Sequence, residues 1–253
     1  MIFLASALIG ALIIIVSSFI RTNADKYLDL CIAVGLAVFA AAMIVPMDIL
    51  IDHTPRPIDL SLYRIDLRLG IDPLPLGRAV LAVPLLHTLL AFIYLHLPIF
   101  LALAYGCEGN PRLIRASIVA PVIAFLFYFA VPAVGPIHIF SNYPQSPPVL
   151  MENLYSPRNC FPSMHLGWAL LMALNAQKRW LKFTTWAFAA AMAVATVGLG
   201  EHYWIDLIAS VPFCLGVQWG LAYADRKQIS NDGLLVDWSI RTLRLFGSQS
   251  KNR

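Results

Sequence analysis

The sequence predicts an all-α, polytopic membrane bundle of six or seven transmembrane helices, with one amphipathic helix lying in the interface. Three observations carry that expectation. Hydrophobic residues make up 59% of the chain and charged ones only 13%, with a mean hydropathy of +0.73, which is the composition of an integral membrane protein. Apolar stretches recur at the length of about 20 residues that a hydrocarbon core of roughly 30 Å requires, and 253 residues can supply six or seven of them with their connecting loops. Basic residues are unevenly shared between alternate connections, as the positive-inside tendency demands.

In chain order, Ile2 to Ile20 is apolar, with no basic residue before it and Arg21 and Lys26 directly after it. That charge order is the reverse of a secretory leader and fits a first span whose N-terminus lies outside. A second span from about Tyr27 to Leu50 completes an N-terminal pair over residues 1–50. Residues 51–78, with Pro55, Pro57, Pro73 and Pro75, are too polar to cross. Within them Ile58, Leu60, Leu62, Ile65, Leu67 and Leu69 alternate with Asp59, Arg64, Asp66 and Arg68, a pattern that predicts the short interfacial helix on the outer face.

The third span, about Ala79 to Tyr105, contains Pro84 and Pro98 and is expected to kink. Its His87 and His96 are expected to face the bundle interior. Arg112 and Arg115 lead into a fourth span ending near Pro136, and the loop from Ile137 to Phe161, rich in Pro, Asn and Ser, is of the length that usually carries function or disorder. The fifth span runs from Pro162 to about Ala176, the sixth from about Phe183 to Leu199 and the seventh from His202 to about Ala224. Residues 79–224 thus form a catalytic helical core and 225–253 a polar cytoplasmic tail. Cys31, Cys107, Cys160 and Cys214 are scattered without metal-type spacing and read as free thiols.

The turns after spans one, three and five, together with the tail, hold thirteen of the eighteen lysines and arginines, leaving Arg56, Arg64, Arg68, Arg78 and Arg158 on the other side. The thirteen are expected to be cytoplasmic, so the opposite ends of the helices face a periplasm, lumen or exterior. A plasma (inner) membrane location follows as the expectation. The surplus of positive charge reads as topology and not as nucleic-acid binding.

Polar chemistry gathers at two helix starts on that outer side. One is Cys160-Phe161-Pro162-Ser163-Met164-His165 and the other Gly200-Glu201-His202-Tyr203-Trp204-Ile205-Asp206. His202 and Asp206, four residues apart, would share a helix face, so that the carboxylate can hold one imidazole nitrogen and leave the other as nucleophile or base. The plainer reading is a pair that only caps the helix. His165 stands one turn into the fifth helix, behind Pro162 at a first-turn position and beside the Ser163 hydroxyl. Helix N-termini bind phosphate through their unpaired amides. With Arg158 just upstream to offset negative charge, the set describes a phosphoryl-transfer site.

These residues resemble the second and third motifs of the type 2 phosphatidic acid phosphatase superfamily, nearest the branch that includes inositol phosphorylceramide synthase. The likeness extends to Tyr63-Arg64-Ile65-Asp66, Gly70, Pro73 and Val131-Pro132, and covers roughly residues 55–220. It implies that His202 attacks phosphorus to form a phosphohistidine, Asp206 orients it, His165 protonates the leaving oxygen and Ser163 helps hold the phosphate. It implies a lipid phosphate or phosphodiester substrate taken from the bilayer, with no metal and no cofactor.

Two departures accompany the likeness. The first motif, Lys-x6-Arg-Pro, is absent before Pro162, and Ala195-Thr196 stands where a Ser-Arg pair is expected. Arg158 is the nearest substitute, with Arg64 and Arg68 as further substrate-binding candidates. A metal centre of His165, His202 and Asp206 has acceptable ligand types but no tight motif, and a serine protease built on Ser163 lacks the Gly-x-Ser elbow. A non-catalytic lipid-binding or transport protein is the alternative from another class.

Overall fold

The computed structural model describes residues 2–22, 24–42, 49, 57–145 and 158–249, with side chains as far as Lys227. Among them every regular element is helical: α1 (Ile2–Ile20), α2 (Lys26–Ala42), α3 (Asp59–Arg68), α4 (Leu74–Ala82), α5 (Pro84–Leu95), α6 (Leu97–Glu108), α7 (Pro111–Ala130), α8 (Pro136–Ile139), α9 (Met164–Asn175), α10 (Arg179–Gly198) and α11 (Trp204–Gln249). The all-α membrane bundle is therefore present. Contacts divide the chain into a unit over Met1–Cys214, which carries both histidine motifs, and a second over Leu215–Arg253, where Trp219 stacks on Tyr223.

Among the described residues, four helices are long and apolar enough to cross a membrane: α1, α7, α10 and the Trp204–Lys227 part of α11. The fourth and fifth helices would together make one more, but they meet at 112°. Six or seven spans would require α2, α6 and α9 as well; α6 and α9, at 12 residues each, are shorter than a straight crossing, and the expected second span continues from α2 through residues 43–48, which lie outside the described residues. The third expected span is where sequence and structure differ most. Val83 adopts an extended backbone ahead of Pro84, as the ring of a following proline demands, and a second break falls at His96, two residues before Pro98. The expected kink is thus two breaks. His87 is exposed and does not face the interior, and His96 spends its Nδ1 on the carbonyl of Phe92 at 2.9 Å.

Small residues set the close crossings. The buried stripe of α1 is Ser6, Ala7, Gly10, Ile14 and Ser18, and a Cβ on Gly10 would stand 3.0 Å from the Pro98 carbonyl and 3.2 Å from Ala102. Helices approach this closely in a membrane because dispersion between backbones must replace a hydrophobic drive that lipid does not supply. The first helix packs on α2 and α6, while α9 packs on α10 and α7.

The turns rich in positive charge come together at one end. Arg21 pairs with Asp29, which also accepts from the Tyr105 hydroxyl at 2.7 Å, and Lys178 donates to the Cys107 carbonyl at 2.7 Å. At the other end, a core of Leu62, Tyr63, Leu74, Val134, Phe140 and Tyr203 seats the loops that hold both histidine motifs.

The short amphipathic helix is present as α3, and its buried face mixes apolar and acidic residues. Ile65, Leu67 and Leu69 are exposed, whereas Asp59 and Asp66 are wholly buried. Asp59, Leu62, Tyr63 and Asp66 fall at i, i+3, i+4 and i+7, which is one helical face, and both carboxylates find backbone amides to hold.

Candidate active site

The site is assembled from the starts of α9 and α11, braced from behind by α3. Ser163 is the N-cap of α9, its Oγ accepting from the Leu166 amide at 3.4 Å. The helix therefore begins at Met164, and Pro162 precedes the cap instead of occupying the first turn. The carbonyl of Ser163 accepts from the Ser210 hydroxyl at 2.9 Å, and its amide donates to the Asp206 carbonyl at 3.4 Å. Those bonds fasten the two helix starts to each other. Ser163 is buried and its hydroxyl is committed to the cap.

The last helix begins at Trp204, so His202 lies in the loop before it and Asp206 in its first turn. They meet nonetheless, Nδ1 to Oδ2 at 3.4 Å. The same oxygen accepts from the Tyr203 amide at 2.8 Å. This is the return half of a capping box, a carboxylate three residues in that reaches back to the cap amide. Asp66 accepts from the next two amides, Trp204 at 2.8 Å and Ile205 at 2.9 Å. The amide of the cap residue Tyr203 and the first two amides of α11 are thus already bonded to carboxylates, and this helix start cannot be the phosphate cradle that its sequence suggests. The first amides of α9, at Met164 and His165, are the ones without an intrahelical acceptor.

His165 lies on that first turn of α9, its ring stacked on Tyr94 at 3.8 Å between centroids. Its centroid is 6.2 Å from that of His202, with the ring planes inclined by 59°. The structure therefore brings His165, His202, Asp206 and Ser163 to one place. Arg158 is half-buried, two residues before Cys160. Arg64 and Arg68 are exposed on the outer side of α3, away from its two buried aspartates.

Several residues that the sequence does not single out complete the arrangement. The Cys160 thiol donates to Asp206 Oδ2 at 2.8 Å and lies 3.3 Å from His202 Nδ1. Burial, with the Asp206 charge next in importance, pushes this thiol well above its ordinary value, so it stays protonated and donates. Asp206 Oδ1 is buried and makes no hydrogen bond.

Asp59 accepts from the amides of Val134 and Gly135 and from the Tyr203 hydroxyl at 2.9 Å, and its carboxyl is raised by burial. Gly135 has φ +94, and a Cβ there would meet the Glu201 carbonyl oxygen at 2.2 Å, so only glycine lets the two loops touch. His138 Nε2 bonds Glu201 at 2.9 Å across the same seam, and that bond raises its pKa. The sequence signal for the two aspartates was their spacing of seven with Leu62 and Tyr63 between them. No comparable signal marks Cys160.

Among the described residues, the donor group that could hold a metal ion is Cys160, His202 and Asp206, whose ligand atoms lie within 4.8 Å of one another. His165 is not part of it. An ion there would take Nδ1 of His202, the nitrogen that otherwise faces Asp206.

A family model described as the PAP2 superfamily matches residues 60–220. No curated protein and no solved structure matches the chain.

Proposed function

This chain belongs to the PAP2 superfamily, that of the type 2 phosphatidic acid phosphatases, and from that membership we propose that it transfers a phosphoryl-bearing head group of a membrane lipid through a phosphohistidine at His202. The coarser part follows from the family: a membrane-embedded enzyme of phosphatase or phosphotransferase type, working on lipid phosphates. The observation that carries the finer part is the pair of imidazoles 6.2 Å apart at two helix starts, with a buried carboxylate behind one of them. A phosphorus between the rings would be within reach of both, since reacting atoms must come to about 3–3.5 Å.

In the proposed sequence Nε2 of His202 attacks phosphorus, forming a P–N bond as the bond to the leaving oxygen breaks, and His165 gives that oxygen its proton. Water or an alcohol then attacks phosphorus, loses its proton to His165 and breaks the P–N bond. Positive charge on the phosphorylated imidazole is met by Asp206, whose second oxygen has acceptor capacity to spare. The Cys160 thiol keeps Oδ2 in place beside Nδ1. Ser163 supports the phosphate indirectly, by holding the first turn of α9 in position. Arg158 offsets charge on the non-bridging oxygens, and Arg64 and Arg68 meet the head group from the membrane surface.

The inositol phosphorylceramide synthase-like branch, and with it a phosphodiester or pyrophosphate donor, is favoured by the missing Lys-x6-Arg-Pro and Ser-Arg elements. A monoester dianion needs more neutralisation than a diester monoanion. Purified protein in detergent is expected to cleave or exchange a lipid phosphodiester faster than it releases inorganic phosphate from phosphatidic acid, and Arg158→Ala to slow turnover by roughly 10². Rapid phosphate release from phosphatidic acid, indifferent to Arg158→Ala and to added alcohols, would make it a plain lipid phosphatase.

The site is proposed to face away from the cytoplasm, on the strength of the thirteen-to-five basic asymmetry. Asn142 and Gln177 are both exposed, Asn142 in the loop after α8 and Gln177 in the basic turn after α9. Asn142→Cys should react with an impermeant thiol reagent in intact cells and Gln177→Cys should not; the reverse pattern would invert the topology.

A further inference from the structure

A cavity of about 200 Å³ lies between α1 and α2 on one side and α6, α7 and α9 on the other. Its wall is almost entirely hydrocarbon: Phe3, Ile32, Leu36, Phe39, Leu101 and Trp168 supply most of it. The indole N–H of Trp168 is bonded to the Ser117 carbonyl at 2.8 Å, which removes one of the few polar groups nearby. A buried water needs two to four polar partners, and beyond the Ser117 hydroxyl, which has no partner, and the Cys31 thiol, the lining side chains have no free polar group to offer.

The cavity runs along α2 from Cys31 to Ala40, ten residues and nine steps, or about 13 Å at roughly 1.5 Å per step. Two of its lining residues lie three positions from residues of the candidate site, on two separate stretches of chain. Trp168 is three residues beyond His165, and Leu97 is three residues beyond Tyr94, whose ring stacks on His165 at 3.8 Å. A ligand whose polar head reached the two histidines would thus have a water-free, elongated slot for its tail.

We propose that this cavity takes one acyl chain of the substrate lipid, and that Gly35 fixes how long that chain can be. The assignment rests on the phosphoryl-transfer reading of the site and deepens it. Both α1 and α2 lie outside the residues that match the family, 60–220, so the N-terminal pair adds this wall to the shared core. Gly35 lines the slot midway along it, and a Cβ built there meets no atom within 4 Å. The space beside it is left open by the absence of a side chain, and a larger residue would fill it without colliding with the backbone.

The test uses the full chain in lipid nanodiscs, with a phosphatidic acid and a phosphodiester lipid, each as dioleoyl and dihexanoyl forms, and a dioleoyl-type analogue carrying a diazirine near the end of one chain. Photolysis should label the α2 segment 31–40, and excess dioleoyl substrate should suppress the labelling. Gly35→Leu should lower that labelling and reduce the ratio of kcat/KM for long over short chains by about 10-fold, the worth of roughly two buried methylenes. Gly35→Ala should give a smaller shift of the same sign, which guards against a folding defect in the leucine variant.

An unchanged ratio in both variants overturns the proposal. So does labelling of 31–40 that a phosphatidylcholine probe reproduces and substrate does not suppress, which would make the slot a berth for bulk lipid. If no lipid phosphate is turned over while suppressible labelling of 31–40 persists in wild type and in His202→Ala, the catalytic reading fails and the acyl-chain site stands.

Discussion

His202→Ala is expected to abolish turnover of every lipid phosphate and phosphodiester that the wild-type enzyme accepts, because of the two imidazoles that face each other in the site it is the one with a carboxylate behind it. Asp206→Asn should lose about 10³-fold or more, as expected when the group that fixes a catalytic tautomer is neutralised. That variant carries a second load, since Oδ2 also accepts from the Tyr203 amide and the Cys160 thiol. The melting temperature must therefore be compared alongside kcat. Vanadate, a phosphoryl mimic, should inhibit, and chelators should leave the rate untouched. Loss of activity on chelation that zinc restores would place a metal on Cys160, His202 and Asp206 and remove His202 as the nucleophile.

Asp59→Ala is expected to be the most destabilising single change at the outer end of the bundle. It would strand the amides of Val134 and Gly135 and the Tyr203 hydroxyl at once, all buried. At about 1–3 kcal/mol for each unsatisfied group, the total is at least about 3 kcal/mol, and a much lowered melting temperature in detergent should report it; a melting temperature within a degree or so of wild type would sink the assignment.

Asp66 should respond to pH instead. Burial raises its carboxyl from 3.8 to about 6. A carboxyl raised in the folded state contributes stability that is complete below its unfolded value and is lost as pH rises through its folded one. The melting temperature of wild type relative to Asp66→Asn should therefore climb as pH falls from about 7 to about 5; a constant difference would show that Asp66 is not titrating in that window.

Much of this was legible in the sequence because it depends on short-range pattern. Apolar runs of the right length returned α1 at its expected bounds, α7 about six residues short of its expected end and α10 four residues early at its start, and the two histidine motifs converged as their helix-start positions implied. What escaped depends on distance. The third span looked continuous because proline's effect on the preceding residue, here Val83 and the chain near His96, decides between a kink and a break only once neighbours pack. Asp59 and Asp66 looked like the wet side of an amphipathic helix, since charge ordinarily turns to water. Their partners lie 75 to 144 residues onward, and nothing local announces them. Cys160 read as an incidental thiol, although it sits between the carboxylate and imidazole of the site.

The clamp that α3 places on α11 has a consequence for biogenesis. Asp66 emerges 138 residues before the Trp204 amide that it will hold, and His202 itself arrives with that final helix. During synthesis and insertion the nascent chain carries His165 before it carries His202, with Asp66 still lacking the amides of Trp204 and Ile205 and Asp59 still lacking the Tyr203 hydroxyl. On the proposed mechanism, turnover cannot precede entry of the helix that follows His202, and a chain arrested before that point would lack its nucleophile.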